Sequence, residues 1–234
     1  MKNELLLRQL FDPESSTYTY LYADAGTREA ILIDPVIEQA ARDQGLLKEL
    51  NLNLKYILET HVHADHITGA HELRKLTGAK IVVGKDSGAV GADTYIGDGE
   101  ELKVGTQTLT ALATPGHTKG CMSYAGAGLV FTGDALMIKD VGRTDFQGGS
   151  TDRLYQSITE KLFALPPATI IYPAHDYEGR KSSSVAEEIA ANKKLGGGVS
   201  LAEFCERVAA TKLAQPKKIH IAVPANLRCG EPSA

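Results

Sequence analysis

Five of the seven histidines in this sequence lie in three short stretches, where they could bind a metal ion. Residues 60–66 read Thr-His-Val-His-Ala-Asp-His, residues 114–117 read Thr-Pro-Gly-His, and residues 172–176 read Tyr-Pro-Ala-His-Asp. Residues 131–134, Phe-Thr-Gly-Asp, add a carboxylate. Burying so many titratable groups together is costly unless a cation compensates them. The pattern therefore predicts a metal site.

Imidazole and carboxylate suit zinc, iron and manganese alike, so the ligand types do not name the metal. The seven candidate ligands are His61, His63, Asp65, His66, His117, Asp134 and His175. In one layout, two ions share all seven, with Asp134 bridging them around a water activated for hydrolysis. In the other, only His61, His117 and Asp134 bind a single ion, as a 2-His-1-carboxylate triad with open positions. The residues alone leave both layouts open.

Short apolar segments precede each group of candidate ligands and are expected to position them. Buried strands are predicted at 55–58, 128–131 and 169–172, and a hairpin around Gly105 leads to His117. Helices are predicted at 38–50, 66–76 and 151–165 from their apolar spacing. Two β-rich halves of this kind favour an α/β fold, a four-layer αββα sandwich, with the metal residues at the seam between the halves.

The C-terminal part of the sequence carries helix-start signals. Ser184 with Glu187, and Ser200 with Glu203, have the spacing of capping boxes, and each predicts a helix. The apolar run 219–224 is predicted to be an edge strand. We expect residues 1–234 to form one domain, with helices and a tail from about 184 to 234 packed on it.

Composition excludes several classes of protein. Hydrophobic residues make up 43% and charged residues 23%, with a formal net charge of -4, so neither disorder nor nucleic-acid binding is expected. No run of about 18 apolar residues predicts a membrane span. The cysteines Cys121, Cys205 and Cys229 suggest no disulfide framework, and Cys121 is interpreted as a packing residue. We expect a soluble cytoplasmic protein, or a mitochondrial-matrix protein if a targeting segment has been removed.

Longer motifs around these residues are more specific than the histidines themselves. They are residues 59–69 (Glu-Thr-His-Val-His-Ala-Asp-His-Ile-Thr-Gly), 116–121 (Gly-His-Thr-Lys-Gly-Cys), 142–147 (Gly-Arg-Thr-Asp-Phe-Gln), 172–177 (Tyr-Pro-Ala-His-Asp-Tyr) and 223–230 (Val-Pro-Ala-Asn-Leu-Arg-Cys-Gly). Together they resemble the persulfide dioxygenase family, also called the ethylmalonic encephalopathy protein family, of the metallo-β-lactamase superfamily. The resemblance runs nearly end to end.

This resemblance implies a function in sulfide detoxification. It implies one Fe(II) per chain on His61, His117 and Asp134, and oxidation of glutathione persulfide by O2 and water to sulfite and glutathione. The remaining four candidates, His63, Asp65, His66 and His175, would then surround the metal, and relatives suggest a homodimer. The alternative is a binuclear glutathione-thioester hydrolase of the glyoxalase II kind, because that family shares the histidine motif.

Glutathione carries two carboxylates, and the planar guanidinium of arginine pairs well with such groups. Arg143 and Arg228 lie inside specific motifs and are predicted to bind substrate, with Tyr177 as a hydrogen-bonding neighbour. A salt bridge between Arg143 and Asp145 is the competing interpretation. Asp34, at the end of a predicted strand, is expected to support the metal loops.

Overall fold

The computed structural model describes residues 5–232, and the first of its two sheets belongs to the N-terminal half of the chain. Its six strands lie in chain order: β1 (Leu5–Asp12), β2 (Thr17–Asp24), β3 (Glu29–Ile33), β4 (Asn53–Leu58), β5 (Lys80–Gly84) and β6 (Thr94–Ile96). The first three pair antiparallel, and β3 to β6 pair parallel. Residues 1–4 and 233–234 of the predicted domain lie outside the described residues.

The second sheet is formed by the following part of the chain, in the order β12-β11-β10-β9-β8-β7. Its strands are β7 (Glu101–Val104), β8 (Gln107–Ala113), β9 (Met122–Gly126), β10 (Leu129–Gly133), β11 (Ile170–Pro173) and β12 (Ser183–Ser184). The predicted hairpin is present, and Gly105 at its turn has a positive φ of 61°, which glycine adopts without strain. Only the β10–β11 pair is parallel among these described strands.

Six α-helices lie among the described residues: α1 (Ala40–Glu49), α2 (Ala70–Thr77), α3 (Thr151–Gln156), α4 (Val185–Ala191), α5 (Leu201–Ala209) and α6 (Ile219–Asn226). A π-helical turn, Ser157–Leu162, continues α3. Ser200 and Glu203 form the predicted capping box of α5, and the Ser184 side chain accepts a hydrogen bond at the start of α4. No helix within residues 5–232 is both long and apolar enough to cross a bilayer.

Three apolar clusters hold four layers together. Buried side chains of both sheets, such as Ile33 and Phe131, fill the space between them. Leu73 of α2 packs on the outer face of the first sheet. Leu154 of α3 and Phe204 of α5 pack on the outer face of the second. This layering confirms the predicted αββα sandwich.

Two sequence predictions at helices were wrong. The run predicted as an edge strand at 219–224 belongs to helix α6. Its apolar residues fit both the two-residue period of a strand and the 3.6-residue period of a helix. Val223 and Leu227, which lie four apart, pack on the core beside the first sheet, while Ile221 is 59% exposed. The helix predicted from His66 begins only at Ala70, because the preceding residues form a loop that carries candidate ligands.

Candidate metal centre

The candidate metal residues lie where strands of the two sheets end. β4 ends just before the 59–68 loop, β10 ends directly before Asp134, and β11 ends two residues before His175. The carboxyl ends of parallel strands meet at one edge of a sheet, which brings residues distant in sequence together. The backbone N–H of Met122 donates to the Thr60 carbonyl at 2.8 Å and ties the two sheets together at this edge.

His61, His117 and Asp134 form the first group, with one ligand atom of each lying within 4.8 Å of the others. Nδ1 of His117 lies 2.7 Å from the Arg143 carbonyl oxygen, and Nδ1 of His61 lies 2.9 Å from Oγ1 of Thr60. These contacts hold both rings by Nδ1 and leave Nε2 for a metal, as outer partners of ligand histidines commonly do. Nε2 of His117 lies 3.6 Å from Oδ2 of Asp134.

A second group lies beside the first and comprises His63, Asp65 and His66, again with ligand atoms within 4.8 Å of one another. Nδ1 of His66 lies 3.0 Å from Oδ2 of Asp65. Nε2 of His175 lies 3.7 Å from Asp65 and 3.8 Å from Asp134, so it stands between the two groups. The structure thus brings all seven candidates from the sequence into one cluster.

His63 also lies against two buried carboxylates. Its Nε2 is 3.2 Å from Oδ1 of Asp34 and 3.4 Å from Oε2 of Glu59. Asp34 accepts hydrogen bonds from the N–H and hydroxyl of Thr60, each at 2.7 Å, in keeping with its predicted supporting role. Sequence reasoning missed Glu59. Its signal was an acid at the end of a buried strand, four residues before a clustered histidine.

Burial and neighbouring charges shift the pKa values of these groups. Burial, with nearby His63 and His117, lowers the pKa of His61 well below its ordinary value. Burial raises the pKa of the Asp65 carboxyl, but His66 and His175 outweigh it and the net shift is downward. A neutral imidazole and an ionised carboxylate are the forms that bind metal.

Several buried polar atoms at this cluster have no hydrogen-bond partner among the described residues. They include Oδ1 of Asp134, Nδ1 of His63 and Nε2 of His66. An unpaired buried polar atom costs about 1–3 kcal/mol, so three together need an explanation. Asp134 belongs to the first ligand group, and His63 and His66 belong to the second, so the residues present fit a bound cation.

A cavity of about 900 Å³ runs outward from the first group. His61 and Asp134 line its inner end, and Lys212 and Leu213 line its outer end. Tyr177 stands at the mouth, 73% exposed, with its ring parallel to that of His175 at 5.9 Å. This volume is in the range of pockets for small organic ligands.

Arg143 lines the cavity, but its guanidinium already has partners. It pairs with both carboxylate oxygens of Asp145, at 2.6 and 2.7 Å, as the competing interpretation expected. It also donates to the carbonyls of Leu213 and Ala214 at 3.3 and 2.6 Å. Hydrogen bonding to Asp145 raises the pKa of Arg143 further. The side chain thus joins the cavity wall to residues 211–215, the segment that covers the cavity.

The remaining site predictions fall elsewhere. Arg228 does not line this cavity, and its Nη2 lies 3.4 Å from the carbonyl oxygen of Glu231. Cys121 is buried, and burial raises the pKa of its thiol to about 12, which suits a packing residue. Sequence reasoning missed Lys212, since nothing local in the sequence distinguishes it from other surface lysines.

Comparison with known proteins places the chain in a family. Residues 12–175 match the model of the metallo-beta-lactamase superfamily. Persulfide dioxygenase ETHE1, mitochondrial, from Mus musculus is 50% identical over 97% of this chain and 89% of its own length. The crystal structure of ETHE1 from Myxococcus xanthus superposes with a TM-score of 0.94 at 49% identity, covering 97% of this chain and 100% of that one.

A more distant relative has a hydrolase name. Hydroxyacylglutathione hydrolase from Cereibacter sphaeroides is 36% identical over 70% of this chain and 64% of its own length. The match to the ETHE1 proteins is stronger in both identity and coverage. The chain therefore belongs to the persulfide dioxygenase family within the metallo-β-lactamase superfamily.

Proposed function

We propose that this protein is a persulfide dioxygenase that uses one Fe(II) per chain. One glutathione persulfide, one O2 and one water would give one sulfite and one glutathione. The observation that carries the proposal is the meeting of His61, His117 and Asp134 at the inner end of a large cavity. Two imidazoles and one carboxylate leave coordination positions open, as oxygenases of this type require. Membership in the persulfide dioxygenase family supports the same reaction.

The chain's own residues prepare the metal site. The backbone carbonyl of Arg143 orients His117, and Thr60 orients His61, so each imidazole has a set direction before metal binds. His61 and His117 are only 4% and 5% exposed, so both imidazoles are largely shielded from bulk water. When bound, iron supplies redox chemistry with O2 that zinc lacks.

The outer end of the cavity would hold the glutathione part of the substrate. Since the Arg143 guanidinium is engaged with Asp145 and the covering segment, we assign carboxylate binding chiefly to Lys212. Lys212 lines the cavity, and no carboxylate within residues 5–232 pairs with it. The Tyr177 hydroxyl at the mouth is a hydrogen-bond donor to the same substrate. The predicted role of Arg228 stays a prediction, with no cavity contact to support it.

A second candidate function is a binuclear glutathione-thioester hydrolase. The observation in its favour is the second ligand group beside the first, which comprises His63, Asp65 and His66 and could bind a second ion. In our proposal, these residues and His175 instead fix the shape and charge of the pocket. His63 faces Asp34 and Glu59 through Nε2, and the His66 ring is held by Asp65 through Nδ1.

Parallel assays of one purified sample separate the two functions. The Fe(II)-loaded protein is expected to consume O2 with glutathione persulfide and to release sulfite, and the zinc-loaded protein is expected to do neither. A glutathione thioester is expected to remain intact with either metal. Thioester hydrolysis by the zinc-loaded protein, with no persulfide-dependent O2 uptake by the iron-loaded protein, would establish the hydrolase instead.

We further propose that the protein works as a homodimer in a compartment that keeps thiols reduced. Its three cysteines are unpaired within the described residues, as such a compartment allows. Analytical ultracentrifugation tests the dimer, whose measured molar mass would be twice the 25.0 kDa mass of the chain. A single species at the chain mass across the working concentration range would exclude it.

A further inference from the structure

We propose that Asn226 is a positioning residue for the metal centre, acting through the 59–68 loop, which carries His61 of the first ligand group. The inference rests on the proposed function only in taking the first ligand group as the iron site. Asn226 is the last residue of α6 and touches no candidate ligand atom through its side chain. Instead, its carboxamide fixes the backbone of the 63–68 segment. This gives the motif at 223–230 a function in supporting the metal site.

All polar groups of the Asn226 carboxamide are used on this one segment. Its Oδ1 accepts a hydrogen bond from the Thr68 N–H at 2.9 Å. Its Nδ2 donates to the carbonyls of His63 and His66, at 2.9 and 2.8 Å. The residue is 5% exposed, so these bonds are made away from water. One side chain thus satisfies three backbone groups in a stretch that has no helix or strand to satisfy them.

The residues after Asn226 hold it against the loop. The Leu227 carbonyl accepts from the Val90 N–H at 2.8 Å, and Sγ of Cys229 lies 3.4 Å from the Val90 carbonyl oxygen. Gly230 has a φ of 81°, and a Cβ there would lie 2.5 Å from the Thr68 carbonyl oxygen. The segment 226–230 therefore packs tightly on the loop at Thr68, and its contacts hold the backbone of Asn226 in place.

The same loop is held from the inside by the carboxylates. Oγ1 of Thr68 donates to Oε1 of Glu59 at 2.5 Å, and Glu59 in turn lies beside His63. The loop is thus clamped between Glu59 on one side and Asn226 on the other. Loss of the Asn226 clamp would leave two buried carbonyls and the Thr68 N–H without these partners and let the backbone shift. Since metal sites need their ligands within about 0.5 Å of the right place, such a shift weakens metal binding.

The test compares Asn226→Ala and Asn226→Asp with Asn192→Ala. Asn192 is a matched control, since it is 3% exposed and its carboxamide also makes several internal bonds. Those bonds go to Asp140, Glu188 and the N–H groups of Lys194 and Leu195, and none of them goes to the 59–68 loop. Both alanine variants therefore lose comparable buried hydrogen bonds, but only Asn226→Ala loses bonds to the 59–68 loop.

The readouts are Fe(II) dissociation into a chelator and the ligand-field spectrum of the Co(II)-substituted protein, neither of which needs turnover. Asn226→Ala is expected to weaken Fe(II) binding about 10- to 100-fold and to change the Co(II) spectrum. Asn192→Ala is expected to lower the melting temperature without either change. Asn226→Asp keeps the size and loses both donors, so it should reproduce the metal effects even where the alanine variant fails to fold.

Asn226 variants with wild-type iron release and an unchanged Co(II) spectrum would overturn the inference, whatever their melting temperature. An equal loss of iron in Asn192→Ala would overturn it too, because the effect would then be general destabilisation. Failure of the proposed function gives a different result. The wild-type protein would then bind iron without consuming O2 in the presence of glutathione persulfide.

Discussion

The two ends of the cavity are built differently. At the inner end, the 59–68 loop is almost wholly buried, and Asp34 alone accepts two hydrogen bonds from Thr60. At the outer end, the covering segment 211–215 is exposed and has no helix or strand. Arg143 anchors it through the carbonyls of Leu213 and Ala214. The inner end, with the candidate metal ligands, is held by many buried contacts, and the end assigned to substrate depends on few contacts.

We assign the reaction to the rigid inner end of the cavity and substrate recognition to its looser outer end. A reacting centre needs fixed ligands, so dense buried bonding around His61 and His117 serves it. A site for the flexible glutathione part can tolerate adjustment, and loosely held segments are often where binding surfaces are found. We therefore expect changes at the inner end to remove metal or turnover, and changes at the outer end to alter substrate affinity.

The largest effect is expected from Asp134→Ala at the inner end. Removing the only carboxylate of the first ligand group should lower Fe(II) affinity and persulfide-dependent O2 uptake by about 100-fold or more. Metal analysis after gel filtration and an oxygen electrode measure the two quantities. Asp98→Ala, an exposed acid paired with Lys161, is the control and should retain both. An Asp134→Ala protein that kept iron and activity would break the ligand assignment.

A smaller effect is expected from Arg143→Lys, because the side chain joins the two ends. Lysine lacks the planar fork that pairs with Asp145 and reaches Ala214, so kcat/KM should fall about tenfold, the equivalent of one charge-assisted hydrogen bond of about 1.5 kcal/mol. Iron content should stay at one per chain, since His117 is oriented by the backbone of residue 143. Steady-state kinetics with Arg153→Lys as the exposed control provides the measurement. Loss of iron without a change in kcat/KM per bound iron would contradict this assignment.

Lys212→Ala should act on substrate binding alone. The loss of one cation at the outer end is expected to raise KM for glutathione persulfide about three- to tenfold, with kcat unchanged. The difference from wild type should shrink at high salt, because exposed charges are screened. Lys217→Ala, an exposed neighbour that does not line the cavity, should leave KM unchanged. Equal KM values for wild type and Lys212→Ala at low salt would remove Lys212 from the substrate site.

The smallest effect on activity is expected at Asp24, at the end of β2 away from the metal. Its carboxylate accepts from the N–H and hydroxyl of Thr106, at 2.7 and 2.5 Å, and joins the two sheets there. These hydrogen bonds lower its pKa to about 2. Asp24→Asn should lower the free energy of unfolding by about 2 kcal/mol at pH 7 and leave kcat unchanged.

The pH dependence of the Asp24 contribution follows from the lowered pKa. The carboxylate stabilises the fold fully above its unfolded pKa of about 4, and this contribution is lost as the pH falls toward 2. Urea unfolding at pH 7 and at pH 3 should therefore show a smaller gap between wild type and Asp24→Asn at the lower pH. The same gap at both pH values would mean that the carboxylate charge contributes nothing.

At the inner end of the cavity, the sequence was enough to predict that the candidate ligands lie close together. His61, His117 and Asp134 each follow a segment whose strand was visible from its apolar run, and strand ends at one sheet edge bring such residues together. The αββα layering followed from the same runs. Local pattern and global fold agree there, so the prediction needed little long-range information.

The outer end and the supporting contacts could not be read in this way. The bond between Arg143 and Ala214 spans 71 residues, and the one between Asn226 and His63 spans 163. The run 219–224 fits both a strand and a helix, and only packing against the first sheet decides for α6. Nothing in the local sequence marks Lys212 as a cavity residue, because its position depends on how the covering segment lies across the metal centre.

Titration of the metal-free protein with Fe(II), followed by initial rates of O2 uptake with glutathione persulfide, tests the central claim most directly. If His61, His117 and Asp134 hold the only iron needed, the rate should rise linearly and stop rising at one equivalent per chain. Each persulfide consumed should then account for one O2. A break at two equivalents, or iron binding without any persulfide-dependent O2 uptake, would contradict a mononuclear dioxygenase.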